Sequence, residues 1–128
     1  MKSPQKKYNA KKKRLAKKCN DLWRTIVLLK HPSCWHSGKE AVLSHHFVAK
    51  SLSNALRYDT ENGVALSWSS HQRLHDTADP EILEKFLKSK DEKWHKYISE
   101  NRRKSVTLNL AFYETTILRL EEELKKIK

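Results

Sequence analysis

The chain has 128 residues, of which 38% are hydrophobic and 33% are charged, and its formal net charge is +12. This length and balance fit one small globular domain with a large solvated surface. No stretch approaches the roughly 18 consecutive apolar residues of a membrane span. The N-terminal segment also lacks an apolar core after its positive charges, so we expect a cytoplasmic protein without a membrane partner.

The positive charge is concentrated at the N-terminus. Residues 1–18 hold nine Lys and Arg and no acid. Such a block binds nucleic-acid phosphates by releasing their counterions. A membrane-surface helix would need an apolar face that Tyr8 and Ala10 hardly provide, and a solubilising tail is the simplest alternative. We favour nucleic acid and expect DNA contacts from Lys11, Lys12, Lys13, Arg14, Lys17 and Lys18.

The first predicted elements are a basic flexible tail over residues 1–9 and a basic amphipathic helix over residues 10–30. Apolar residues recur in this helix at steps of three and four, as expected for one buried face. They include Leu15, Cys19, Trp23 and Ile26. The helix should end before Pro32, because proline disfavours helical backbone at the residue before it.

The middle of the chain, residues 31–78, predicts a strand, a long loop, a second strand and a helix. "EAVLSHH" (40–46) and "VALSW" (64–68) are short and rich in apolar residues, and Asn62-Gly63 between them is a turn signal. "SSHQRLHD" (69–76) has helical spacing after a capping serine.

Residues 79–128 form a C-terminal helical region. Asp79 is a predicted N-cap and Pro80 a first helical residue, "DEKWHKYISENRRK" (91–104) continues the helical pattern, and the chain ends in a long amphipathic helix. The face of that helix with Leu108, Phe112, Leu120 and Leu124 should pack on its own domain or form a dimer seam. We therefore expect a monomer or a homodimer.

Cys19 and Cys34 should both be reduced, since two thiols make a poor disulfide framework.

Four histidines frame the predicted second strand. His71 and His75 are four residues apart, so they share one face of a helix and could bind the same divalent ion. His45 and His46 are neighbours on a strand, so their side chains point in roughly opposite directions. One of them could bind the metal while the other, neutral near pH 7, deprotonates a water molecule. Asn62 could hydrogen-bond across the loop, although Asn-Gly is also an ordinary turn pair.

The stretch "SHHFVAKSLSNALRYDTENGVALSWSSHQRLH" (44–75) resembles the HNH, or ββα-metal, endonuclease motif. It is most similar to phage recombination endonucleases of the NinG-like type, and its doubled histidine is similar to the colicin-type DNases. The resemblance covers residues 34–76, about a third of the chain. It implies an α+β, mostly helical fold. A ββα-metal core with a short hairpin, a long loop and a helix would be flanked by the N-terminal basic helix and the C-terminal helices.

The resemblance also implies roles for the site residues. His45 would be the first metal ligand, His46 the general base and Asn62 the brace of the loop. His71 and His75 would complete the site for one divalent ion, which could be Mg²⁺, Mn²⁺, Ni²⁺ or Zn²⁺. Lys50, Arg57 and Arg73 are expected to make further contacts with the phosphate backbone of the nucleic acid.

The activity that this resemblance implies is hydrolysis of DNA phosphodiester bonds. The DNA could be duplex, branched or single-stranded. The protein would be phage-encoded, act in DNA recombination or processing, and lie in the bacterial host cytoplasm. Two alternatives use the same residues: a non-catalytic DNA-binding module stabilised by a metal, and a nuclease that acts on RNA or belongs to a toxin.

One departure from the family pattern concerns a second metal site. Many relatives hold a structural zinc with two Cys-x-x-Cys pairs, and the corresponding positions here are Cys34, Ser37, Ser67 and Ser70. A serine hydroxyl is a poor zinc ligand compared with a thiolate. We therefore expect no structural zinc, and expect Trp35 and Trp68 to fill that space with apolar packing.

Overall fold

The computed structural model describes residues 3–128, and these residues form an α+β fold that is mostly helical, as predicted. The helices are α1 (Pro4–Lys30), α2 (Trp68–Thr77), α3 (Glu84–Lys88), α4 (Glu92–Asn101) and α5 (Leu110–Ile127). The strands are β1 (Leu43–His46) and β2 (Gly63–Leu66), and short 3-10 turns precede β2 at Thr60–Asn62 and α3 at Pro80–Leu83. None of the helices described is both long and apolar enough to cross a membrane.

Helix α1 begins earlier than its apolar pattern indicates. The hydroxyl of Ser3 accepts a hydrogen bond from the Lys6 amide at 3.2 Å, and Pro4 occupies the first turn. A capping serine followed by proline and good helix formers starts a helix without any apolar contact. The prediction of a flexible tail is therefore wrong for residues 4–9, while Met1 and Lys2 lie outside the described residues.

The two strands pair in antiparallel register, with Leu43 opposite Leu66 and His46 opposite Gly63. The connection between them, residues 47–62, is the long loop that was predicted. Gly63 is not in a tight turn, because its backbone is extended with φ −101°. A Cβ at this position would lie 2.3 Å from Cγ2 of Val27. Glycine is needed here because α1 packs directly against the strand.

Helix α2 begins at Trp68, one residue before the stretch 69–76 in which a capping serine was predicted. The N-cap is Ser67, whose hydroxyl accepts the Ser70 amide at 3.3 Å. A serine at this position satisfies an amide that has no partner inside the helix. The cap places His71 and His75 on the first and second turns of α2.

The C-terminal region is more divided than predicted. Asp79 does cap the next element, but that element is a 3-10 turn leading into the short α3. A second acidic cap, Asp91, then starts α4 as a separate helix. Helix α5 begins only at Leu110, where the Asn109 side chain accepts the Phe112 amide at 2.8 Å, so Leu108 precedes the helix. Side-chain caps divide the apolar pattern into three helices.

The hydrophobic core has two halves, one on each side of β2. Ala65 belongs to the half that α1 and α5 build around Trp23, Ile26 and Leu120. Val64 and Leu66 point the other way, into the half that contains Phe86. This alternation is the normal consequence of a strand buried on both faces. Helix α5 buries its apolar face on α1 of the same chain, and the oligomeric state stays a prediction.

The contact of Gly63 with α1 can be tested by Gly63→Ala. We expect this change to lower the free energy of unfolding by about 1–3 kcal/mol, because the new methyl group would overlap the Val27 side chain. Urea unfolding monitored by circular dichroism measures the effect. The penalty should become much smaller in a Val27→Ala background, where the methyl group has space. An equal penalty in both backgrounds would contradict the contact.

A second test concerns Glu123 of α5, which joins α1 to the loop before β2. Its carboxylate lies 2.7 Å from the Lys30 ammonium and accepts the Thr60 hydroxyl. Burial alone would raise the pKa of Glu123, but the hydrogen bonds from Lys30 and Thr60 lower this pKa below its ordinary value of 4.5. The resulting stabilisation is present above pH 4.5 and is lost as the pH falls through the lowered pKa.

Glu123→Gln should therefore destabilise the protein at neutral pH and make its stability less dependent on pH in the acid range. Urea unfolding at about pH 6 and about pH 3.5 measures both effects. Glu122→Gln is the matched control, since Glu122 is an exposed neighbour on the same helix. Identical pH dependence of the two variants would show that Glu123 does not stabilise this junction.

Candidate functional site

A cleft of about 380 Å³ lies where α1, the end of β1 and α2 meet. Helix α1 contributes a polar edge to it, β1 and the following loop form one wall, and α2 forms the other. The residues that line it are Asn20, Trp23, Arg24, Ser44, His45, His46, Ala49, Lys50, His71 and His75. The four histidines that the sequence singled out thus meet in one cavity.

Three of these histidines form a row. The ring centroids of His45 and His71 are 5.7 Å apart, and those of His71 and His75 are 5.8 Å apart. Strand alternation directs His45 towards α2, and the spacing of four residues stacks His75 above His71 on the same helical face. The row is built by one strand position and one helix face.

The row has the composition of a site for a divalent ion, since imidazole nitrogens are common metal ligands. Among residues 3–128, no three His, Cys, Asp or Glu side chains are already arranged as a metal site. With metal–nitrogen bonds of about 2.1 Å and tetrahedral angles, two ligand rings would have centroids about 5 Å apart. The observed separations of 5.7 and 5.8 Å are longer than this, so the rings would have to move closer together to share one ion.

The environment of His45 and His71 favours the neutral form of their imidazole rings. Burial, and to a smaller extent the nearby His71 and His75, lowers the pKa of His45 to about 4. The pKa of His71 is also lowered, first by burial and then by His75. Neutral imidazole is the form that binds a metal ion, because its nitrogen lone pair is free.

His46 lies in a different environment, against α1. Its ring stacks on the indole of Trp23 with a centroid separation of 3.9 Å and an interplanar angle of 8°. Its Nε2 lies 2.8 Å from the carbonyl oxygen of Arg57. A carbonyl oxygen can only accept, so Nε2 carries the proton and Nδ1 keeps its lone pair. Burial lowers the pKa of His46 to about 4, so the ring is neutral near pH 7.

The Asn62 side chain spans the loop between the strands. Its Oδ1 accepts the Val48 amide at 2.7 Å, and its Nδ2 donates to the carbonyl oxygens of Val48 at 3.0 Å and Leu56 at 3.1 Å. Asn62 is completely buried. These three hydrogen bonds hold the segment after His46 against the segment before Arg57, whose carbonyl orients the His46 ring. The catalytic part assigned to Asn62 stays a prediction.

The three basic residues expected near the motif have different positions. Lys50 lines the cleft. Arg57 does not line it: the guanidinium lies near the Tyr58 ring, and its Nε is buried without a hydrogen-bond partner. Arg73 points away from the cleft and pairs with Asp79 at 2.7 Å and Glu81 at 3.6 Å. The Arg57 side chain and Arg73 are therefore not placed as phosphate contacts in this cleft.

The predicted DNA-binding residues of α1 divide between two faces. Lys11 and Lys18 face α5 and lie 3.9 Å from Glu114 and Glu121, respectively. Lys13, Lys17, Asn20 and Arg24 follow one another at steps of four, three and four residues, which places them on one helical face. Asn20 and Arg24 line the cleft, so this second face leads into it. Lys12 is half-buried and Arg14 is exposed, and both lie outside the two sets.

Asn20 and Arg24 were missed by the sequence analysis. Their helical spacing from Lys13 and Lys17 was available in the sequence. What was not available was the side of α1 that meets the histidines, because this depends on the packing of α1 against β2. Lys17 is also partly neutralised, since its ammonium lies 2.8 Å from the Asp21 carboxylate.

A second cluster contains the four positions that correspond to the zinc ligands of relatives. These positions are Cys34, Ser37, Ser67 and Ser70. The Ser37 amide donates to Cys34 Sγ at 3.4 Å, the Ser37 and Ser67 hydroxyls are 3.4 Å apart, and Ser67 donates to Ser70 at 3.1 Å. His36 Nδ1 lies 3.0 Å from the Ser70 hydroxyl. Hydrogen bonds thus connect the turn before β1 to the start of α2.

Cys34 is the acidic group of this cluster. Burial alone would raise the pKa of its thiol, but hydrogen bonds from Ser37, Ser67 and Ser70 outweigh burial and lower the pKa to about 5. The two cysteines of the chain are both free and buried.

The two tryptophans expected to fill this region behave differently. Trp35 stacks on His31 at 3.8 Å and contacts the edge of Phe86 at 5.6 Å. Trp68 is 63% exposed, so the expectation that it fills the space is wrong. Trp68 is the first residue of α2, and its position on the outer side of that turn directs the indole to solvent.

Comparison of the chain with protein-family models, with curated proteins and with solved structures found no match.

The close approach of these four positions can be tested by replacing the three serines with cysteine. Ser37→Cys, Ser67→Cys and Ser70→Cys together should create a site that binds about one equivalent of Zn²⁺. Without metal the variant should be less stable than the wild type, because cysteine is a poorer N-cap than serine at position 67. Zinc should then raise its Tm.

Zinc titration with a chromophoric competitor and thermal unfolding measure these two effects. A variant that keeps serine at position 37 is the control, since it should bind zinc more weakly. Failure of the triple variant to bind zinc would show that the four positions do not converge in solution.

Proposed function

We propose that this protein is a metal-dependent endonuclease that hydrolyses phosphodiester bonds in DNA. The observation that carries the proposal is that the four histidines of the cleft fall into two sets with different surroundings. His45, His71 and His75 form a row between β1 and α2, and the fourth imidazole, His46, is held in a single tautomer against α1. This is the set of groups that the resemblance to HNH endonucleases calls for.

His46 is the proposed general base. Its Nε2–H donates to the Arg57 carbonyl, so the free lone pair is on Nδ1. The stack on Trp23 and this hydrogen bond together restrict the ring's orientation. A water molecule beside Nδ1 would transfer its proton there as its oxygen attacks phosphorus. The Arg57 carbonyl would then stabilise the resulting imidazolium through the Nε2–H hydrogen bond.

His45, His71 and His75 would hold one divalent ion. When bound, such an ion polarises the scissile phosphate and stabilises the departing oxyanion. Imidazole ligands favour the later metals Ni²⁺ and Zn²⁺ over Mn²⁺ and Mg²⁺, whereas availability in cells favours Mg²⁺. The lowered pKa values of His45 and His71 support this role, because neutral imidazole is the form that binds a metal ion.

The positive charge around the cleft supports a nucleic-acid substrate. Arg24 and Lys50 line the cleft, and Lys13 continues the same basic face of α1 away from it. The net charge of +12 adds long-range attraction for any polyanion. The resemblance implies DNA in duplex, branched or single-stranded form, products with 5′-phosphate and 3′-hydroxyl ends, and a phage-encoded role in recombination or processing in the host cytoplasm.

One observation favours a second function, a non-catalytic DNA-binding module. The His46 ring is stacked on a buried tryptophan, as a histidine with only a packing role would be. In that case a metal held by the other histidines would serve stability, and DNA would be bound but not cut.

The decisive experiment is plasmid cleavage by the purified protein with Mg²⁺, Mn²⁺, Ni²⁺ or Zn²⁺. His46→Ala should reduce cleavage about 100-fold or more, the typical contribution of a general base, and EDTA should abolish it. His95→Ala is the matched control and should cleave normally, because His95 is exposed on α4 and does not line the cleft.

The His46→Ala protein should still bind DNA, since the basic residues are intact. Binding without cleavage by the wild type under every metal, with plasmid, branched and single-stranded DNA and with RNA, would reject the nuclease and support the binding module. Equal loss of cleavage in both histidine variants would show that His46 has no special role.

A further inference from the structure

A second polar cavity of about 270 Å³ lies beside the loop that follows the histidine cleft. One side is the loop 51–54, and the other is the segment 102–105 that follows α4. The residues that line it are Ser51, Leu52, Ser53, Asn54, Arg102, Arg103, Lys104 and Ser105. Three consecutive cations thus face a loop rich in hydroxyl and amide groups, and no acidic residue lines the cavity.

The three cations are available to a ligand. Arg102, Arg103 and Lys104 are all exposed, and within residues 3–128 none of them forms an ion pair. Cations at the end of a helix also interact favourably with its dipole. That effect falls off within the last turn, and it does not account for a polar cavity opposite the three side chains.

The cavity has fixed walls. The Asn54 side chain donates to the Val106 carbonyl at 3.4 Å and so joins the loop to the basic segment. The Ser53 hydroxyl is buried and accepts the Leu56 amide at 3.2 Å, which holds the loop in a turn. On the other side the Lys104 amide donates to the Asn101 carbonyl at 3.1 Å. The loop and the cations therefore keep a defined relative position.

This second cavity is continuous with the histidine cleft along the chain. Ala49 and Lys50 line the cleft, and the next residue, Ser51, lines the second cavity. The four residue steps from Lys50 to Asn54 span at most about 14 Å even in an extended chain. A nucleic-acid strand that passes Lys50 can therefore reach the second cavity within a few nucleotides.

We propose that Arg102, Arg103 and Lys104, together with the loop 51–54, form a second phosphate-binding site for the nucleic acid that enters the histidine cleft. Guanidinium groups bind phosphate through paired hydrogen bonds, and the serine hydroxyls and the Asn54 amide supply further donors. Such contacts hold the backbone in position without reading its sequence. The proposal rests on the nucleic-acid substrate of the proposed function, but it does not require that the cleft cut the strand.

The first experiment measures binding of a fluorescent oligonucleotide by anisotropy at several salt concentrations, in the full chain carrying His46→Ala. Arg102→Gln, Arg103→Gln and Lys104→Gln together should lower the slope of log affinity against log salt by about 2 to 3, since each lost phosphate contact removes nearly one unit. The matched control removes the same charge from the exposed end of α5, with Lys125→Gln, Lys126→Gln and Lys128→Gln. Its slope should change by less than about 1.

The second experiment separates this site from the cleft. Bis(p-nitrophenyl) phosphate carries a single phosphate group, so its hydrolysis in the cleft needs no second phosphate contact. The variant with Arg102→Gln, Arg103→Gln and Lys104→Gln in an otherwise wild-type chain, the basic-segment variant, should hydrolyse this compound at the normal rate. Its cleavage of DNA should fall about tenfold or more at moderate salt. His46→Ala should reduce both reactions.

Equal changes of slope in the basic-segment variant and the α5 variant would overturn the second site, even if the wild type is an active nuclease. A wild type that hydrolyses neither substrate would reject the proposed nuclease. The comparison of the two salt slopes would then still decide the second site, because it measures binding alone.

Discussion

The packing of α1 against the hairpin is the interaction on which the rest of the structure depends. The Trp23 ring stacks on His46, and its Nε1 donates to the Asp59 carbonyl at 2.8 Å. One turn further on, Val27 fills the space that the missing side chain of Gly63 leaves against β2. A single helix therefore positions a strand, the end of the long loop and one side of the cleft. A buried tryptophan typically contributes about 3–5 kcal/mol to stability. The packing of Trp23 therefore stabilises the fold and the geometry of the cleft together.

Burial of the histidines connects this packing to the chemistry. Transfer of imidazoles out of water disfavours their charged form, and burial is the main cause of the lowered pKa values of His45 and His46. Both proposed roles need the neutral ring, one to bind a metal and the other to accept a proton. Lys50, which lines the cleft, also lowers the pKa of His46, and a cation at this position would attract phosphate. Under the proposed function, one arrangement of charge would favour both the neutral imidazoles and the binding of a phosphate-containing substrate.

The cluster at Cys34 shows how the scaffold around the site is held by hydrogen bonds and aromatic packing. Hydrogen bonds among three hydroxyls and one thiol connect the turn before β1 to the N-cap of α2. Four thiolates at these positions would be expected to need a metal ion. Trp35 adds aromatic contacts to His31 and Phe86 beside this cluster. The start of α2 is therefore fixed close to the site, and with it the positions of His71 and His75.

The sequence by itself determined the local features of this protein: the α+β class, the order strand, loop, strand and helix, the Asp79 cap, and the shared helical face of His71 and His75. These follow from periodicity and capping among residues that are near one another in the chain. The tertiary structure alone decided which face of α1 meets the histidines, that the Arg57 carbonyl and not its guanidinium serves His46, that Arg73 pairs with Asp79, and that residues 102–104 lie beside the loop 51–54. Most of these contacts join residues far apart in sequence, and local spacing carries no information about how distant segments pack.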